Sequence, residues 1–309
     1  MSTRRDFIKQ LGAVAGLGAA VSIGLGLNAQ QVRAALAASW YMPDENELQE
    51  RVFLAFAASS SIWADWAGAV NNTIALLAKT IAKYQPVTVL CRPAQLAQAK
   101  SKCGTRNIRF ISVALDDIWM RDYGGCFVVD EQGGRGLVDF NFNGWGNKQA
   151  HANDTLVADE LSYQTNATYI SSQLTGEGGG IEIDGFGTAI ITESCVRSEN
   201  RNPGVSKAQC GRELKRLLGV EKIIWLPGIK SKDITDGHTD FYARFARPGM
   251  VIAGYDPDPK SFDHAVTKQH LKLLRGATDA EGRNLDIVVL EAPSRVREKF
   301  ANDDFAADY

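Results

Sequence analysis

The chain repeats a strand–strand–helix–strand order of predicted elements roughly four times, and this repeat limits the fold more than any other feature. One predicted helix covers about 61–84, with apolar side chains at helical spacing. Another covers 206–218, between the N-capping Ser206 and Gly219. Strands and helices do not alternate strictly, which argues against a doubly wound sheet. Because no linker composition interrupts the repeat, we expect a single α/β domain.

The composition is that of an ordinary globular protein and excludes several classes of partner. The chain has 309 residues, of which 45% are hydrophobic and 23% charged, and its formal net charge is -2. This is enough apolar material for a sizeable core. The near-neutral net charge gives no reason to expect a nucleic-acid-binding surface. No segment after the N-terminus is long and apolar enough to span a membrane.

The N-terminus carries the pattern of an export signal. Arg4 and Arg5 precede a weakly hydrophobic run that is rich in glycine and alanine. This pattern predicts a twin-arginine signal peptide over 1–38 and a folded domain over 39–309. Because this route carries folded proteins, we expect a periplasmic or secreted protein without stable membrane association after signal cleavage. The alternatives are an uncleaved membrane anchor and a chance Arg-Arg pair.

The cysteines follow no metal or disulfide pattern. The sequence has five of them, widely spaced and without a Cys-x-x-Cys motif: Cys91, Cys103, Cys126, Cys195 and Cys210. Such spacing argues against a zinc site and against a disulfide framework, although one Cys91–Cys103 bridge stays open. The sequence therefore predicts neither a metal nor another cofactor.

A histidine and a carboxylate two positions apart form the first candidate site. A strand over 238–245 would place four polar side chains on one face: His238, Asp240, Tyr242 and Arg244. In such a pair the imidazole can move a proton while the carboxylate holds a cationic group. The alternative is a satisfied histidine beside a solvated aspartate.

A loop over 115–125, just before another predicted strand, holds the second candidate. Trp119 offers an aromatic wall and Asp122 a carboxylate, and the two together suit a flat cation. The alternative is a structural pair between Arg121 and an aspartate, beside a tryptophan in the core.

Two glycine-containing turns complete the set of candidates. Glu177 stands alone among the glycines of 176–180, where a backbone can approach a ligand closely. No Lys-Ser/Thr pair or helix follows, so this is a poor phosphate loop, and a lone glutamate in such a turn is usually exposed. The aromatic turn 140–146 is interpreted as structural rather than catalytic.

Six motifs occur in the order typical of one family. They are Trp119-Met120-Arg121-Asp122, Phe142-Asn143-Gly144-Trp145-Gly146, Glu177-Gly178-Gly179, Asn200-Arg201-Asn202-Pro203, Ile224-Trp225-Leu226-Pro227-Gly228 and Thr235-Asp236-Gly237-His238-Thr239-Asp240. From residue 42 onward the chain thus resembles the agmatine deiminase / Porphyromonas-type peptidyl-arginine deiminase family. The resemblance implies the pentein fold, an α/β propeller of five quasi-repeated modules around a central channel that holds the active site.

The resemblance also implies a role for each candidate residue. Asp122 and Asp240 would grip the substrate guanidinium, and His238 would be the general acid/base. Glu177 would contact the same guanidinium and help to orient it, while Trp119 would line the pocket. The implied reaction hydrolyses a guanidinium group and releases ammonia, from a small guanidino compound such as agmatine or from an arginyl peptide.

The sequence departs from the family at the nucleophile. The family uses a cysteine in a Gly-rich segment near its C-terminus, and this chain has no such segment. We therefore expect it to lack the last module and, without the thiolate, to be inactive in this form. Cys126, Cys195 and Cys210 are expected to be structural. Phe241, where agmatine enzymes tend to carry asparagine, weakens the case for agmatine.

Two other functions stay open at this point. One is a non-catalytic remnant that binds guanidinium compounds through Asp122 and Asp240. The other is a metal-dependent hydrolase with His238, Asp240 and Asp122 as ligands. The chain has only four histidines, and the other three lack carboxylates at ligand spacing, which argues against the metal.

Overall fold

A computed structural model gives the architecture of the protein and describes residues 40–293. The chain divides into two compact units, Met1–Ser39 and Trp40–Tyr309. The first unit contains the predicted signal segment and lies outside the described residues. Within residues 40–293, no helix has the length and apolar character needed to cross a membrane.

The strands form four three-stranded sheets, each built from consecutive strands. The first sheet contains β1 Val52–Phe56, β2 Val87–Cys91 and β3 Ile108–Ser112; the second β4 Cys126–Val129, β5 Arg135–Asp139 and β6 Thr168–Ser171; the third β7 Ile181–Ile183, β8 Thr188–Thr192 and β9 Lys222–Leu226; the fourth β10 Ala243–Arg247, β11 Met250–Tyr255 and β12 Asp286–Glu291.

The helices lie mainly in the connections between these strands. They are α1 Ser60–Trp63, α2 Ala67–Ile81, α3 Leu96–Cys103, α4 Met120–Tyr123, α5 Val157–Thr165, α6 Glu193–Val196, α7 Lys207–Leu218 and α8 His264–Arg275. Short 3-10 segments cover Ala64–Trp66, Pro93–Gln95, Asp154–Leu156, Gly178–Gly180 and Thr239–Phe241, and a separate helical turn covers Gly144–Asn147.

Three of the sheets share one strand pattern. In the second, third and fourth sheets the first two strands are antiparallel and the third is parallel to the second. A parallel step needs a crossover connection, and α5, α7 and α8 lie in these three connections. The predicted strand–strand–helix–strand order therefore holds here. The first sheet differs, because both of its strand pairs are parallel and helices occupy both connections.

The two long predicted helices had different outcomes. The predicted helix over 61–84 is interrupted at Ala64, where a φ of 43° ends α1 before α2 begins. Helix α7 matches its prediction, because Ser206 and Gln209 form a reciprocal capping box at its start. Gly219 ends α7 in the left-handed conformation, with a φ of 64°.

Neighbouring sheets share their hydrophobic cores. Val128 of β4 and Ile191 of β8 belong to one buried cluster, while Ile190 of β8 and Val251 of β11 belong to another. Strand β8 therefore contributes successive side chains to two cores, as the alternation of a pleated strand allows. Because each module covers a neighbour's apolar face, the modules stabilise one another.

The predicted strand over 238–245 is wrong in its first half. Strand β10 begins only at Ala243, and Thr239–Phe241 is a 3-10 turn. The backbone just before this turn is curled, because Asp236 and Gly237 have φ values of 63° and 83°. Side chains of this segment therefore do not alternate between two faces.

Two residues of that predicted strand consequently engage other partners. The Tyr242 ring packs edge-on against His270 with the ring centroids 4.6 Å apart, and its hydroxyl donates to Asp263. Arg244 pairs with Glu182 at 2.9 Å. The face predicted for 238–245 therefore does not exist as a unit, although its first two members still meet in the candidate site.

Candidate active site

Segments at equivalent places in three successive sheets converge on Gly179, and the space over this residue is called the hollow below. Asp122 lies just before β4, Glu177 just before β7, and His238 and Asp240 just before β10. Each segment thus precedes the first strand of its sheet. The repeat in the fold brings together carboxylates and an imidazole that lie far apart in the sequence.

Gly179 forms the floor of this hollow. Its backbone N–H donates to Oδ1 of Asp122 at 3.2 Å. A Cβ atom at Gly179 would lie 2.6 Å from Nδ1 of His238, 2.7 Å from Oδ1 of Asp122 and 2.9 Å from Oδ2 of Asp240. The three side chains therefore surround a space that one methyl group would obstruct, and only glycine leaves it open.

His238 is buried between carboxylates on both edges of its ring. Its Nε2 lies 3.3 Å from Oε2 of Glu177, and its Nδ1 lies 3.7 Å from Oδ1 of Asp122. Burial lowers the pKa of His238, but the charge of Asp122 and the hydrogen bonds to Cys195 and Glu177 outweigh burial. The pKa therefore lies well above its ordinary value, and the imidazole is cationic at neutral pH.

Glu177 is fully buried and held by an arginine, contrary to the exposed position usual for a glutamate in a Gly-rich turn. Nε of Arg201 donates to Oε1 at 2.8 Å and to Oε2 at 3.1 Å. Burial raises the pKa of Glu177, but the hydrogen bond and charge of His238, together with Arg201, bring it below its ordinary value. Glu177 is therefore an ionised carboxylate aimed at His238.

Arg201 also joins this carboxylate to the loop that carries His238. Its Nη1 donates to Oδ2 of Asp236 at 3.0 Å and its Nη2 to the carbonyl of Thr235 at 2.9 Å. The hydroxyl of Thr235 in turn accepts from the backbone N–H of His238. Sequence reasoning gave Arg201 no role, and its place in the motif 200–203 was the only available signal.

Asp122 receives a hydrogen bond from an aromatic side chain of the turn 140–146. The indole Nε1 of Trp145 donates to Oδ2 of Asp122 at 3.0 Å. Burial raises the pKa of Asp122, and the charge of His238 opposes this rise. The interpretation of 140–146 as a purely structural turn is therefore incomplete, because one of its side chains contacts a candidate site residue.

Asp240 has an oxygen without a partner. Its Oδ1 is buried and accepts no hydrogen bond from the described residues, although buried polar atoms are almost always paired. Burial raises the pKa of Asp240, with the charge of His238 opposing the rise. The other oxygen of this carboxylate, Oδ2, is the one that borders Gly179.

Trp119 contacts Trp145, whose indole in turn contacts the carboxylate of Asp122. Its ring stacks on Trp63 with the centroids 6.0 Å apart and contacts Trp145 edge-on at 6.4 Å. Its Nε1 donates to Oδ2 of Asp117 at 3.0 Å. The structure thus brings Asp122, Glu177, His238 and Asp240 together and places Trp119 beside them. Its role as a pocket wall stays a prediction.

Cys195 contacts the site from behind Glu177. Its Sγ donates to Oε2 of Glu177 at 3.5 Å. Burial and the charge of Glu177 raise the pKa of the thiol, so it is protonated at neutral pH. Sequence reasoning treated Cys195 as structural and missed its contact with Glu177, which no local pattern announces.

One group of side chains has metal-ligand spacing among the described residues. The ligand atoms of Glu177, Cys195 and His238 lie within 4.8 Å of one another. Arg201 already occupies both oxygens of Glu177, and its positive charge opposes a second cation. The ligand set considered from the sequence was His238, Asp240 and Asp122, which differs from this group at two positions.

The remaining cysteines are free buried thiols. Cys91 and Cys103 are both unpaired, so the bridge that the sequence left open is not formed. Burial raises the pKa of Cys103 to about 11 and that of Cys126 to about 12. These thiols pack as small apolar side chains.

A cavity lies elsewhere in the domain. It has a volume of about 890 Å³ and is bordered by Ser59, Arg92, Asp116 and Asn153, among others. Arg92 donates to the carbonyls of Leu115 and Asp116 there, and none of the four converging residues lines it. The cavity and the four converging residues are therefore separate features of the domain.

Comparison with known proteins assigns nearly all of the unit Trp40–Tyr309 to one family. Residues 41–309 match the family described as Porphyromonas-type peptidyl-arginine deiminase. The agmatine deiminase of Pseudomonas aeruginosa is 34% identical over 258 residues, which cover 82% of this chain and 70% of that protein. The agmatine deiminase of Stutzerimonas stutzeri is 34% identical over 260 residues, which cover 82% and 71% of the two chains.

The solved structures agree with the sequence comparison. The agmatine deiminase of Enterococcus faecalis superposes with a TM-score of 0.80 at 30% sequence identity. The superposition covers 84% of this chain and 72% of that chain. The small three-stranded sheets described above are therefore those of the same fold.

Proposed function

The chain belongs to the Porphyromonas-type peptidyl-arginine deiminase family and has the pentein fold, and from this premise we propose that the hollow over Gly179 binds the guanidinium group of agmatine. Its relatives are hydrolases that act on the C–N bonds of a guanidino group. Agmatine is the substrate named for relatives that are 34% identical to this chain. The side chain of an arginyl peptide is the second candidate.

The observation that carries the proposal is the unpartnered oxygen of Asp240. A buried carboxylate oxygen without a donor is costly unless a ligand supplies one. Asp122 and Asp240 both border the space over Gly179. A guanidinium is planar, permanently charged and rich in N–H donors, which matches two such carboxylates.

His238 is placed to supply a proton in the proposed reaction. Its Nδ1 borders the hollow, and its raised pKa keeps the ring protonated at neutral pH. After a nucleophile adds to the guanidinium carbon, one C–N bond breaks. The leaving nitrogen takes the proton from Nδ1 and departs as ammonia. Water then attacks the same carbon and supplies the oxygen of the product, while the bond to the nucleophile breaks with its electron pair and His238 takes back a proton from the water. Glu177 stabilises the cationic imidazole before the first transfer.

The nucleophile sets the limit of the proposed activity. A covalent route needs a thiolate that reaches the guanidinium carbon. All five cysteines are buried, and Cys195 lies beside Glu177 at the Nε2 edge of His238, with a raised thiol pKa. We therefore propose that none of these five thiols attacks the guanidinium carbon, so that the four converging residues bind guanidinium compounds without turning them over by this route.

Calorimetry of agmatine binding tests the proposed site. Asp122→Asn and Asp240→Asn each remove one carboxylate charge while keeping the shape, and we expect about 10-fold to 100-fold weaker binding. Asp65→Asn, at an exposed aspartate, is the matched control and keeps the affinity. A wild type that gives no binding heat, or an Asp240→Asn variant that binds as tightly, contradicts the proposal.

Three further measurements separate the competing readings. A titration with an arginyl peptide amide, run in parallel, distinguishes the two substrates. Repeating the agmatine titration with a chelator separates guanidinium binding from metal-dependent binding, because a chelator leaves the former unchanged. An ammonia assay on the same samples tests turnover, and ammonia released from agmatine contradicts the proposed lack of activity.

Export is a separate proposal, supported by the sequence only. The Arg4-Arg5 pair and the run that follows it are outside the described residues. We expect the chain to leave the cytoplasm folded, with the signal removed. Replacing both arginines with lysine should retain the protein in the cytoplasm, as fractionation of a bacterial expression host would reveal. Normal export of that variant contradicts the proposal.

A further inference from the structure

The turn that carries Trp145 has an unusual backbone. Gly144, Trp145, Gly146 and Asn147 follow one another with φ values of 66°, 54°, 83° and 63°. Right-handed helices are the default for L-residues, and left-handed conformations normally occur at single positions. A run of four makes this segment one turn of left-handed helix.

Most of the sequence of this turn suits the conformation, but Trp145 does not. Glycine adopts positive φ freely, and asparagine is enriched there. A Cβ at Gly146 would lie 2.0 Å from the side chain of Asn200, so that position requires glycine on steric grounds as well. A bulky aromatic residue at positive φ is an outlier. Such outliers concentrate at functional sites.

Hydrogen bonds hold the turn in this shape. The N–H of Asn147 donates to the carbonyl of Asn143 at 2.8 Å, and the N–H of Lys148 donates to that of Gly144 at 2.9 Å. The side chain of Asn143 also accepts from the N–H of Gly146 at 2.8 Å. The conformation is therefore over-determined by its surroundings.

The result of this backbone is a fixed indole. Trp145 is only 3% exposed, and its ring packs edge-on against Phe142 and Trp119, with centroid distances of 5.2 and 6.4 Å. These contacts prevent the ring from turning. They direct Nε1 at Oδ2 of Asp122, 3.0 Å away.

We propose that Trp145 is a positioning residue that orients the carboxylate of Asp122 for guanidinium binding. Its N–H engages Oδ2, so Oδ1 is left beside Gly179 and His238, facing the hollow. Because the indole N–H is neutral and donates to a carboxylate, this hydrogen bond favours the ionised form of Asp122 without adding charge to the site. The inference rests on the proposed guanidinium site and adds a residue to it.

The first test is Trp145→Phe, which keeps an aromatic ring and removes the donor. We expect agmatine to bind about 10-fold to 100-fold more weakly, since a hydrogen bond to a charged group is lost. The deficit should grow as pH falls, because Asp122 without its donor protonates at higher pH. A merely structural defect would lower affinity equally at every pH.

Trp225→Phe is the matched control for this substitution. Trp225 is a partly buried tryptophan of β9 that packs under Lys207 and against a core cluster that contains none of the four converging residues. We expect this variant to bind agmatine with the wild-type affinity and pH dependence. If Trp145→Phe binds agmatine like the control across the pH range, the proposed role is overturned.

The second test needs no substitution in the turn and no ligand. In the 1H–15N spectrum of the wild type, the indole resonance of Trp145 should shift as Asp122 titrates and should move in Asp122→Asn. The other indole resonances serve as internal references. An indole shift that follows Asp122, together with absent agmatine binding, would overturn the proposed function but keep the Trp145–Asp122 bond. An indole resonance unchanged in Asp122→Asn would overturn the positioning role even if Trp145→Phe fails to fold.

Discussion

Nε2 of His238 and Oε2 of Glu177 lie 3.3 Å apart, with both side chains shut off from solvent. Arg201 binds Glu177 from the other side, and Asp122 lies 3.7 Å from Nδ1 of His238. Positive and negative side chains thus alternate in one buried series from three modules, in the order Arg201, Glu177, His238, Asp122. Because each buried charge depends on its neighbours, removing one leaves another uncompensated.

This arrangement makes the stability of the fold depend on pH through His238. Its folded-state pKa is raised above the ordinary 6.5, so the folded state binds the proton more tightly. The stabilisation is complete below about pH 6.5 and is lost as pH rises through the raised folded pKa. Relative to His238→Asn, the free energy of unfolding of the wild type should fall above pH 6.5, by at most about 1.4 kcal/mol per pH unit. Urea denaturation over a pH series measures it.

His270 provides a control of opposite sign. Burial lowers its pKa to about 4, so the unfolded state binds the proton more tightly. Relative to His270→Asn, the stability of the wild type should therefore rise between about pH 4 and pH 6.5. A pH-independent difference for His238→Asn would argue against a protonated imidazole in the site.

The repeat of strands was readable in the sequence because apolar residues alternate or cluster within short segments. The start of β10 was misplaced, since the alternation of polar and apolar residues continues back to His238. The 3-10 turn Thr239–Phe241 delays the start of the strand, and the left-handed backbone at Asp236 and Gly237 comes just before it. An Asp-Gly pair is a turn signal, but it does not fix where the next strand begins. His238 and Asp240 meet anyway, because the 3-10 turn places them both beside Gly179.

The supporting contacts of the site were out of reach of sequence patterns. Trp145 and Asp122 are 23 positions apart, and Arg201 and Glu177 are 24 apart. No helical or strand period connects such pairs, so only the packing of one module on the next brings them together. The candidate acids were found because motif and chemistry coincided at Asp122 and Glu177.

Gly179→Ala should close the hollow. The new methyl group would lie under 3.0 Å from His238, Asp122 and Asp240, so these side chains must move apart or exclude the guanidinium. We expect agmatine binding to weaken by about 100-fold or more, equivalent to about 2.7 kcal/mol. Calorimetry measures the affinity, and circular dichroism checks the fold.

Gly68→Ala is the matched substitution at a harmless position. Gly68 lies in α2, and a Cβ there meets no atom within 4 Å. We expect unchanged agmatine binding and a gain of about 0.5–1 kcal/mol in stability, because alanine is the better helix residue. Wild-type affinity in Gly179→Ala would show that ligands bind elsewhere.

Asp240→Asn should stabilise the unliganded chain while it weakens ligand binding. The wild-type carboxylate is held with one oxygen buried and unpartnered, and its folded-state pKa is raised. The folded state therefore disfavours the charge, so the wild type loses stability as pH rises through the folded pKa of Asp240. The neutral amide avoids this loss, and we expect a gain of about 1 kcal/mol at pH 7.

Thermal unfolding of the wild type and Asp240→Asn at pH 7, with and without agmatine, measures both the gain in stability and the loss of binding. Agmatine should raise the melting temperature of the wild type and leave that of Asp240→Asn nearly unchanged. An Asp240→Asn variant that is less stable than the unliganded wild type would indicate that Asp240 has a structural partner.

Arg201→Met should be the most destabilising of these substitutions. Arg201 is wholly buried with Glu177, at 2.8 Å, and with Asp236, at 3.0 Å. Asp236 keeps Lys148 as a second partner, also at 2.8 Å, so the uncompensated charge is mainly that of Glu177. Breaking a buried pair on one side costs about 3–5 kcal/mol. Arg201→Lys keeps the positive charge but lacks the planar guanidinium, so we expect an intermediate loss of stability.

Arg197→Met is the control for the Arg201 substitutions, because it breaks an ion pair at the surface. Arg197 pairs with Glu193 at 2.7 Å, but its side chain is 38% exposed, and such pairs contribute about 0–1 kcal/mol. Urea denaturation at pH 7 should therefore order the losses as Arg201→Met, then Arg201→Lys, then Arg197→Met. Equal losses at positions 201 and 197 would mean that the protonated His238, already 3.3 Å from Glu177, compensates the charge of Glu177 without Arg201. In that case, the pH dependence attributed to His238 should steepen in Arg201→Met.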